Sequence, residues 1–428
     1  MKKTIHILLT MIISIGVNHT QNIPGPVQKE AIGIRGASIY CGDGRIIQDG
    51  IIAFEKGKIT YLGETSTAPI NNQDKYQWIE AKGKRIYPGF IAMQSQLGLS
   101  EIEAVKATND YNELGQFNPH IRSVIAYNTD SEVLPTVRNN GILLTQIAPE
   151  GGVISGQSSV MQLDAWNWED AIVKNDEGIF MNWPSPPSPL RTDENAGKAR
   201  DEYEMFFQKL SIFFDEAKAY SFNQAPIEKN LRFEAMRKVF DRKSQLYLRA
   251  NSANDIQAGV VFLKKYGIQP ILIGGNEAWR IINFIKENNI TVVLTNVQSL
   301  PGHDDDNVAQ PFMLPGILEK AGIRFAIAAD GFWQQRNLPF QVGQAVPYGL
   351  SMTGALNAVT KVPAEIMGVS DRLGTLAVGK DATMFISTGD AFDMMGNNVE
   401  RIFIQGRVVS TNDKQKALYN KYKSKYGL

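Results

Sequence analysis

The sequence predicts an α/β protein: a TIM-like (β/α)8 barrel with a composite β-sandwich domain formed by both chain ends. Three observations carry this. Apolar runs alternate with helical periodicity through the middle of the chain, the pattern of parallel βα units. Eight such strands can be placed, the number that closes a barrel. Both ends read instead as short strands separated by tight turns. The 428 residues exceed a typical single domain, but a barrel can fill well over half that length as one unit. The expected division is a signal peptide at 1–20, a sandwich from 21–87 and 375–428, and a barrel at 88–374. An open doubly wound sheet is the rival topology, disfavoured by eight βα units.

Near the N-terminus, residues 34–40, 50–54 and 58–62 are strand-like, and Cys-Gly-Asp-Gly and Glu-Lys-Gly-Lys turns separate them. The C-terminal end repeats the style at 382–386, 399–404 and 406–409. In the middle, a Pro-Gly turn launches Phe90 and Ile91 as a buried strand. A short helix is expected at 132–139, ended by Asn140-Gly141, then a strand at 142–147 and a Gly-rich loop at 149–157. Residues 159–163 and 178–181 are weaker strands. Long amphipathic helices are expected at about 194–220 and 228–242. The later units are cleaner: strands at 246–250, 271–273, 291–294 and 324–328, with a helix carrying Ile256, Val260 and Leu263 on one face and another at 277–286.

Lys+Arg and Asp+Glu balance at 44 each, so no global field favours nucleic acid or an acidic substrate. Lys2 and Lys3 precede an apolar core from 5 to 17 that is too short to span a membrane, which reads as an export signal. The mature chain is therefore expected to be periplasmic or secreted, with no membrane span. The single cysteine, Cys41, excludes an intramolecular disulfide.

Directly after the first barrel strand come two amides, Gln94 and Gln96. Positions two apart in a strand share a face, so both are expected to point into one pocket. The stretch Tyr87-Pro-Gly-Phe-Ile-Ala-Met-Gln-Ser-Gln-Leu-Gly-Leu99 resembles the first strand of the amidohydrolase superfamily, where Pro-Gly-Phe-Ile-Asp precedes a His-x-His metal pair. Here Ala92 stands at the Asp position and Gln94 and Gln96 at the His positions. Residues 348–356, 360–368 and Gly374-Thr-Leu-Ala-Val-Gly-Lys-Asp-Ala382 are similar to the segments by which that superfamily returns from barrel to sandwich, in the style of imidazolonepropionase-like members. In that pattern Asp381 fixes a loop.

The resemblance implies hydrolysis of non-peptide C–N bonds, as in cyclic amides, using one or two divalent metals such as zinc. The ligands would be the His pair, a carboxylated Lys or Glu on strand four, one His each on strands five and six, and a strand-eight Asp. The metal lowers the pKa of a bound water and the Asp takes its proton. Position by position, Arg249 stands at the strand-five His, Gly274 at the strand-six His, and Asp330 keeps the strand-eight acid. Lys174 is one candidate for strand four. Neutral amides are poor zinc ligands, Arg249 is permanently cationic, and Gly274 has no side chain. Of the four histidines, His6 and His19 lie in or beside the signal and His120 and His303 in loops.

No metal cofactor is expected, and the leading reading is a catalytically inactive ligand-binding or partner subunit. Gln94, Gln96, Arg249, Asn251 and Asp330 would bind a small polar or anionic ligand, or Arg249 would simply neutralise Asp330. A related hydrolase subunit and an oligomer are expected by resemblance only. The alternative is an active amidohydrolase with Asp330 as general base, Arg249 polarising the carbonyl, and an atypical or absent metal. A third reading is a purely structural surface module.

Other features rank lower. The Gly151-Gly152 to Gly156 loop lacks the Gly-Lys-Ser/Thr ending of a phosphate loop. Asp304 to Asp306 reads as a solvated acidic run. Trp166 and Trp168 either line the mouth of the pocket or pack in the core. Ser155, Ser158 and Ser159 have no evident His partner for nucleophilic catalysis.

Overall fold

The computed structural model describes residues 23–67, 75–187, 196–223 and 225–427; the expected signal peptide lies outside them. The chain begins with the antiparallel meander β1 (Ala31–Tyr40), β2 (Ile46–Glu55) and β3 (Lys58–Glu64). Next, β4 (Tyr76–Glu80) and β5 (Arg85–Pro88) both run parallel to β1. The middle follows as β6 (Phe90–Ser95), α1 (Val133–Arg138), β7 (Ile142–Ile147), β8 (Ile154–Gln162), α2 (Trp168–Ala171) and β9 (Ile172–Asn182). Then come α3 (Ala196–Phe222), α4 (Leu231–Phe240), β10 (Gln245–Ala250), α5 (Ala253–Lys265), β11 (Ile271–Gly274), α6 (Ile282–Glu287) and β12 (Thr291–Thr295). The middle closes with α7 (Gln310–Lys320), β13 (Phe325–Ala328), α8 (Leu338–Ala345), α9 (Met352–Val359) and α10 (Lys361–Ile366). The chain returns as β14 (Met384–Ser387), β15 (Val399–Ile404), β16 (Arg407–Val409) and α11 (Lys414–Tyr426).

Strands β6 to β13 pair in chain order, and β13 comes back beside β6, so the sheet is a nearly closed barrel. The other sheet mixes the two ends: β14 pairs with β5, and β15 and β16 extend from it. Lys58 and Arg372 both bond the buried Asp381 carboxylate, at 2.5 and 2.8 Å, which ties the return segment to the N-terminal meander.

Alternation along the barrel strands makes two apolar layers. Ile91, Met93, Leu144, Phe180, Tyr247, Ile273, Val293, Ala326 and Ala328 fill the interior. Their neighbours in sequence, such as Leu248, Leu272, Val292 and Ile327, face outward into the main core, which the helices share. Small interior residues on β13 leave room for the large Phe180–Tyr247 stack opposite, whose ring centroids are 4.6 Å apart.

The structure corrects one topological expectation. Not all eight strands are parallel: β8 runs antiparallel to both β7 and β9. The connection from β7 is a short Gly-rich loop rather than a helix, and a chain without a crossover can only return antiparallel. The weak strands expected at 159–163 and 178–181 are the visible parts of a longer pair, β8 and β9. Residues 278–281 form a 3₁₀ turn before α6, where one continuous helix is expected.

Gly141 joins α1 to β7 at φ +87°, and a Cβ there would lie 2.5 Å from the Phe385 ring of β14. Phe385 itself packs on Tyr87 and Phe90, so barrel and second sheet share an aromatic cluster. Gly141→Ala adds left-handed strain to overpacking and is expected to destabilise by about 2–4 kcal/mol. Urea unfolding of the two proteins measures this directly.

Candidate functional site

Strand parity sets the site. Tyr247 is an interior residue of β10, so Arg249, two positions on, also faces inward at the strand's C-terminal end. Ala326 and Ala328 of β13 face inward, and Asp330 continues their row just past the strand. Barrel mouths at this end carry the functional groups of TIM-like folds.

Arg249 is held by neutral acceptors. Its guanidinium donates to the Pro149 carbonyl at 3.0 Å and the Asn182 side-chain oxygen at 3.2 Å, and approaches the Ser155 hydroxyl at 3.5 Å. Its Cζ lies 4.4 Å from the Phe180 ring centroid, so the cation is stacked on the interior aromatic. Burial pulls its pKa down to about 10, against the pull of Glu150 and Asp330, and it stays charged at neutral pH. Direct neutralisation of Asp330 by Arg249 is not what the structure contains: no ion pair between the two occurs among the described residues. Asp330 is bonded instead by amides. Gln94 Nε2 donates to Oδ1 at 3.2 Å and Asn296 Nδ2 donates to Oδ2. Burial raises the Asp330 pKa, with Asn296, Arg249 and Gln94 opposing that shift in decreasing order.

The two glutamines do not serve one pocket in the manner a regular strand predicts. Gln94 sits at φ +50°, and the pairing of β6 with β7 shifts register between Ala92 and Ser95. That bulge separates the two amides: Gln94 reaches Asp330, while Gln96 Nε2 donates to Glu150 Oε1 at 2.7 Å. Gln96 and Glu150 line a cleft of about 200 Å³ with Ser100, Glu103, Tyr111 and Gln334. Gln94 Oε1 is buried without a hydrogen-bond partner. Its backbone N–H is fixed by Gln146 Oε1 at 3.1 Å, and Gln146 Nε2 donates to the fully buried Glu177 at 2.6 Å.

Asn251 departs from the expected cluster. Asn251 is exposed, and its side-chain oxygen lies against Gly274. Gly274 has φ +96°, and a Cβ there would stand 2.3 Å from that oxygen, so the strand-six position excludes a side chain in this backbone. Lys174 is also displaced: it lies near the start of β9, away from the mouth, donating to the Met367 carbonyl at 2.8 Å. Trp166 and Trp168 follow an antiparallel strand and so fall at the opposite end of the barrel from the mouth. Trp166 is exposed and Trp168 packs against the main core. Ser158 donates to Glu177 at 2.5 Å, and Ser155 approaches Arg249. His303 pairs with Glu277 at 2.5 Å, and Asp306 with Arg280. His120 stays in its loop with Nδ1 buried and without a partner.

Four polar residues that sequence reasoning passed over complete the mouth: Gln146, Glu150, Asn182 and Asn296. A signal existed for three. Asn182 directly follows the apolar run 179–181, Asn296 stands two residues past the run 292–294, and Glu150 lies at the start of the Gly-rich loop. Among the described residues no group of three or more His, Cys, Asp or Glu side chains is placed to hold a metal ion.

Comparison with known proteins agrees with this architecture. Residues 234–409 match a family model described as the Amidohydrolase family, a span that includes Arg249, Gly274, Asp330 and the return segment but not Gln94 or Gln96. The crystal structure of an amidohydrolase from Thermotoga maritima MSB8 is similar over 89% of this chain and 99% of that one, at 24% identity and a TM-score of 0.73. A putative prolidase from Bifidobacterium longum is similar over 92% and 99%, at 15% identity and 0.56. An adenosine deaminase from Xanthomonas campestris, with bound zinc, is similar over 93% and 98%, at 14% identity and 0.54. Likenesses at these identities concern the fold. No curated protein matches the chain. The family match over residues 234–409 and the shared fold together support the resemblance to the amidohydrolase superfamily.

Proposed function

We propose that this chain is an exported, non-hydrolytic member of the amidohydrolase superfamily whose barrel mouth binds a small polar ligand, in the role of a binding or partner subunit. The observation that carries the reading is the arrangement of Arg249, Gln94 and Gln96. A permanent cation occupies the strand-five position, and both amide nitrogens at the strand-one positions are bonded to carboxylates. The residues present do not fit the family's divalent ion. Arg249 would repel it, Gly274 cannot carry a ligand, and the glutamines offer only neutral amide oxygens. The cleft beside Gln96 presents the Glu103 and Glu150 side chains, which favours a ligand rich in hydrogen-bond donors over an anionic one.

The rival reading, a hydrolase using Asp330 as general base, draws support from the raised Asp330 pKa, since a more basic carboxylate takes a proton more readily. Water activation without a Lewis acid weighs against it. Metal content of the purified mature protein by elemental mass spectrometry separates the binding reading from a hydrolase that holds a metal. Well under one divalent ion per chain is expected, unchanged after incubation with zinc or manganese. One tightly held ion per chain would overturn the binding-subunit reading.

A further inference from the structure

The C-terminal helix α11 has chemistry the barrel does not use. Its thirteen residues, Lys-Gln-Lys-Ala-Leu-Tyr-Asn-Lys-Tyr-Lys-Ser-Lys-Tyr, contain five lysines and no acid, in a chain whose 44 basic and 44 acidic residues balance only when they are included. None of the thirteen is buried. Only its first turn is tied to the body. Asp413 caps it by accepting from Lys416 N at 2.7 Å, Lys414 pairs with Glu132 at 2.5 Å, and Thr136 donates to Gln415 at 2.7 Å. Asn139 also donates to the Thr411 carbonyl and to Asp413.

Beyond that turn the helix has one coherent face. At 3.6 residues per turn, Leu418, Tyr419, Tyr422 and Tyr426 form a stripe, and these four are 46%, 65%, 48% and 67% exposed. Lys421 and Lys425 stand on one shoulder of the stripe and Lys423 on the other; Asn420 and Ser424 lie at the back. The lysine ammonium groups lie over their tyrosine rings: Lys421 over Tyr422, Lys423 over Tyr419 and Lys425 over Tyr426.

A helix this short is marginal in water without a packed face. Lys421 and Lys425 are four apart and repel each other, and no acid within the helix offsets them. A surface of negative charge that also accepts tyrosine rings would satisfy both deficits. From this we infer that α11 docks on an anionic lipid surface. Tyrosine suits the boundary between headgroups and acyl chains, with the ring inward and the hydroxyl wet. Lysines on both shoulders extend their stems along that boundary and place their charges among lipid phosphates. The helix would lie on the membrane, since no helix among the described residues is long and apolar enough to cross one. A protein partner would ordinarily offer a recess or an acceptor that fixes register, whereas this face is an open stripe with charge on both sides.

The test is co-sedimentation of the full chain with phosphatidylcholine vesicles, with and without phosphatidylglycerol. Binding is expected to be at least about tenfold stronger on the anionic vesicles and to vanish in about 1 M salt, where charges are screened within about 3 Å. Lys421→Glu/Lys425→Glu should abolish it and Tyr422→Ser/Tyr426→Ser should weaken it. Lys198→Glu/Lys243→Glu, two exposed lysines elsewhere, should leave it unchanged. Thermal unfolding followed by circular dichroism checks that each variant remains folded. Equal binding to neutral and anionic vesicles, no binding to either, or full binding by the charge-reversed variant would overturn the inference. Capture of an acidic polypeptide or of DNA without vesicle binding would overturn it too.

Discussion

Asp164→Ala is expected to lower the unfolding free energy by about 3–5 kcal/mol, the scale for removing one partner of a buried ion pair. Asp164 follows β8 at the barrel end away from the mouth. Its carboxylate accepts from Arg138 NH1 at 2.8 Å, Arg407 NH1 at 2.7 Å and the Gly25 backbone N–H at 2.9 Å. The Arg138 and Asp164 side chains are only 2% and 3% exposed, so solvent does little to screen them. Arg138 ends α1 of the barrel, whereas Arg407 lies on β16 of the second sheet. One carboxylate therefore joins both chain ends to the barrel, and alanine would remove the anion that the two guanidinium groups share. The Leu163 and Asp164 carbonyls, at 2.7 Å each, still hold them in place, so water has little access. Urea unfolding of wild type, Asp164→Ala and Asp164→Asn measures the effect. Asn keeps one acceptor oxygen and should lose less. A loss below about 1 kcal/mol in the alanine protein would mean that water or backbone rearrangement compensates both cations.

That this carboxylate is structural was not visible in the sequence, where Asp164 is only the first residue of a Trp-containing loop. The same holds for the orientation of the loop. Apolar runs show that a strand exists, but its direction depends on whether the connection before it is long enough to cross over. The turn from β7 to β8 contains only residues 148–153, and the antiparallel return it forces rules out the mouth, one of the two placements open for Trp166 and Trp168. Legible from the start were the features that local chemistry dictates. Pro88-Gly89 opens β6, alternation on β10 and β13 turns Arg249 and Asp330 inward, and Gly374 to Ala382 returns the chain to the second sheet. The bulge at Gln94 was not legible, because glutamine rarely adopts positive φ and nothing in its neighbours signals it. The relation between Gln94 and Gln96 depended on that single residue. Glu177 was missed for a different reason. An acid within a strand of mixed polarity reads as solvent-facing, and its donors come from β7, β8 and β10, far away in sequence.

Glu177 carries the second large expected effect, and it connects the interior to the site. The carboxyl is fully buried and accepts from Gln146 and Ser158 on Oε1 and from Tyr247 on Oε2 at 2.7 Å. Burial raises its pKa above the usual carboxylate value, while the three donors and the Lys174 charge work the other way. A carboxyl raised on folding contributes stability that is complete below its unfolded pKa and is lost as pH rises through the folded value. Relative to Glu177→Gln, the wild type should therefore lose stability as pH increases from 4.5 upward. Parallel pH profiles for the two proteins would contradict this. Glu177→Leu removes the acceptor from three buried donors at once and should destabilise by about 3 kcal/mol or more at every pH. The damage should also reach the mouth. Gln146 spans Glu177 and the Gln94 backbone N–H, so releasing its amide nitrogen frees its oxygen to rotate away from Gln94. Faster hydrogen exchange at the Gln94 amide is expected in Glu177→Leu and not in Glu177→Gln, whose side chain still offers Gln146 an acceptor. Equal protection in all three proteins would show that the bulge positioning Gln94 against Asp330 is fixed by the strand itself and needs no support from the barrel interior.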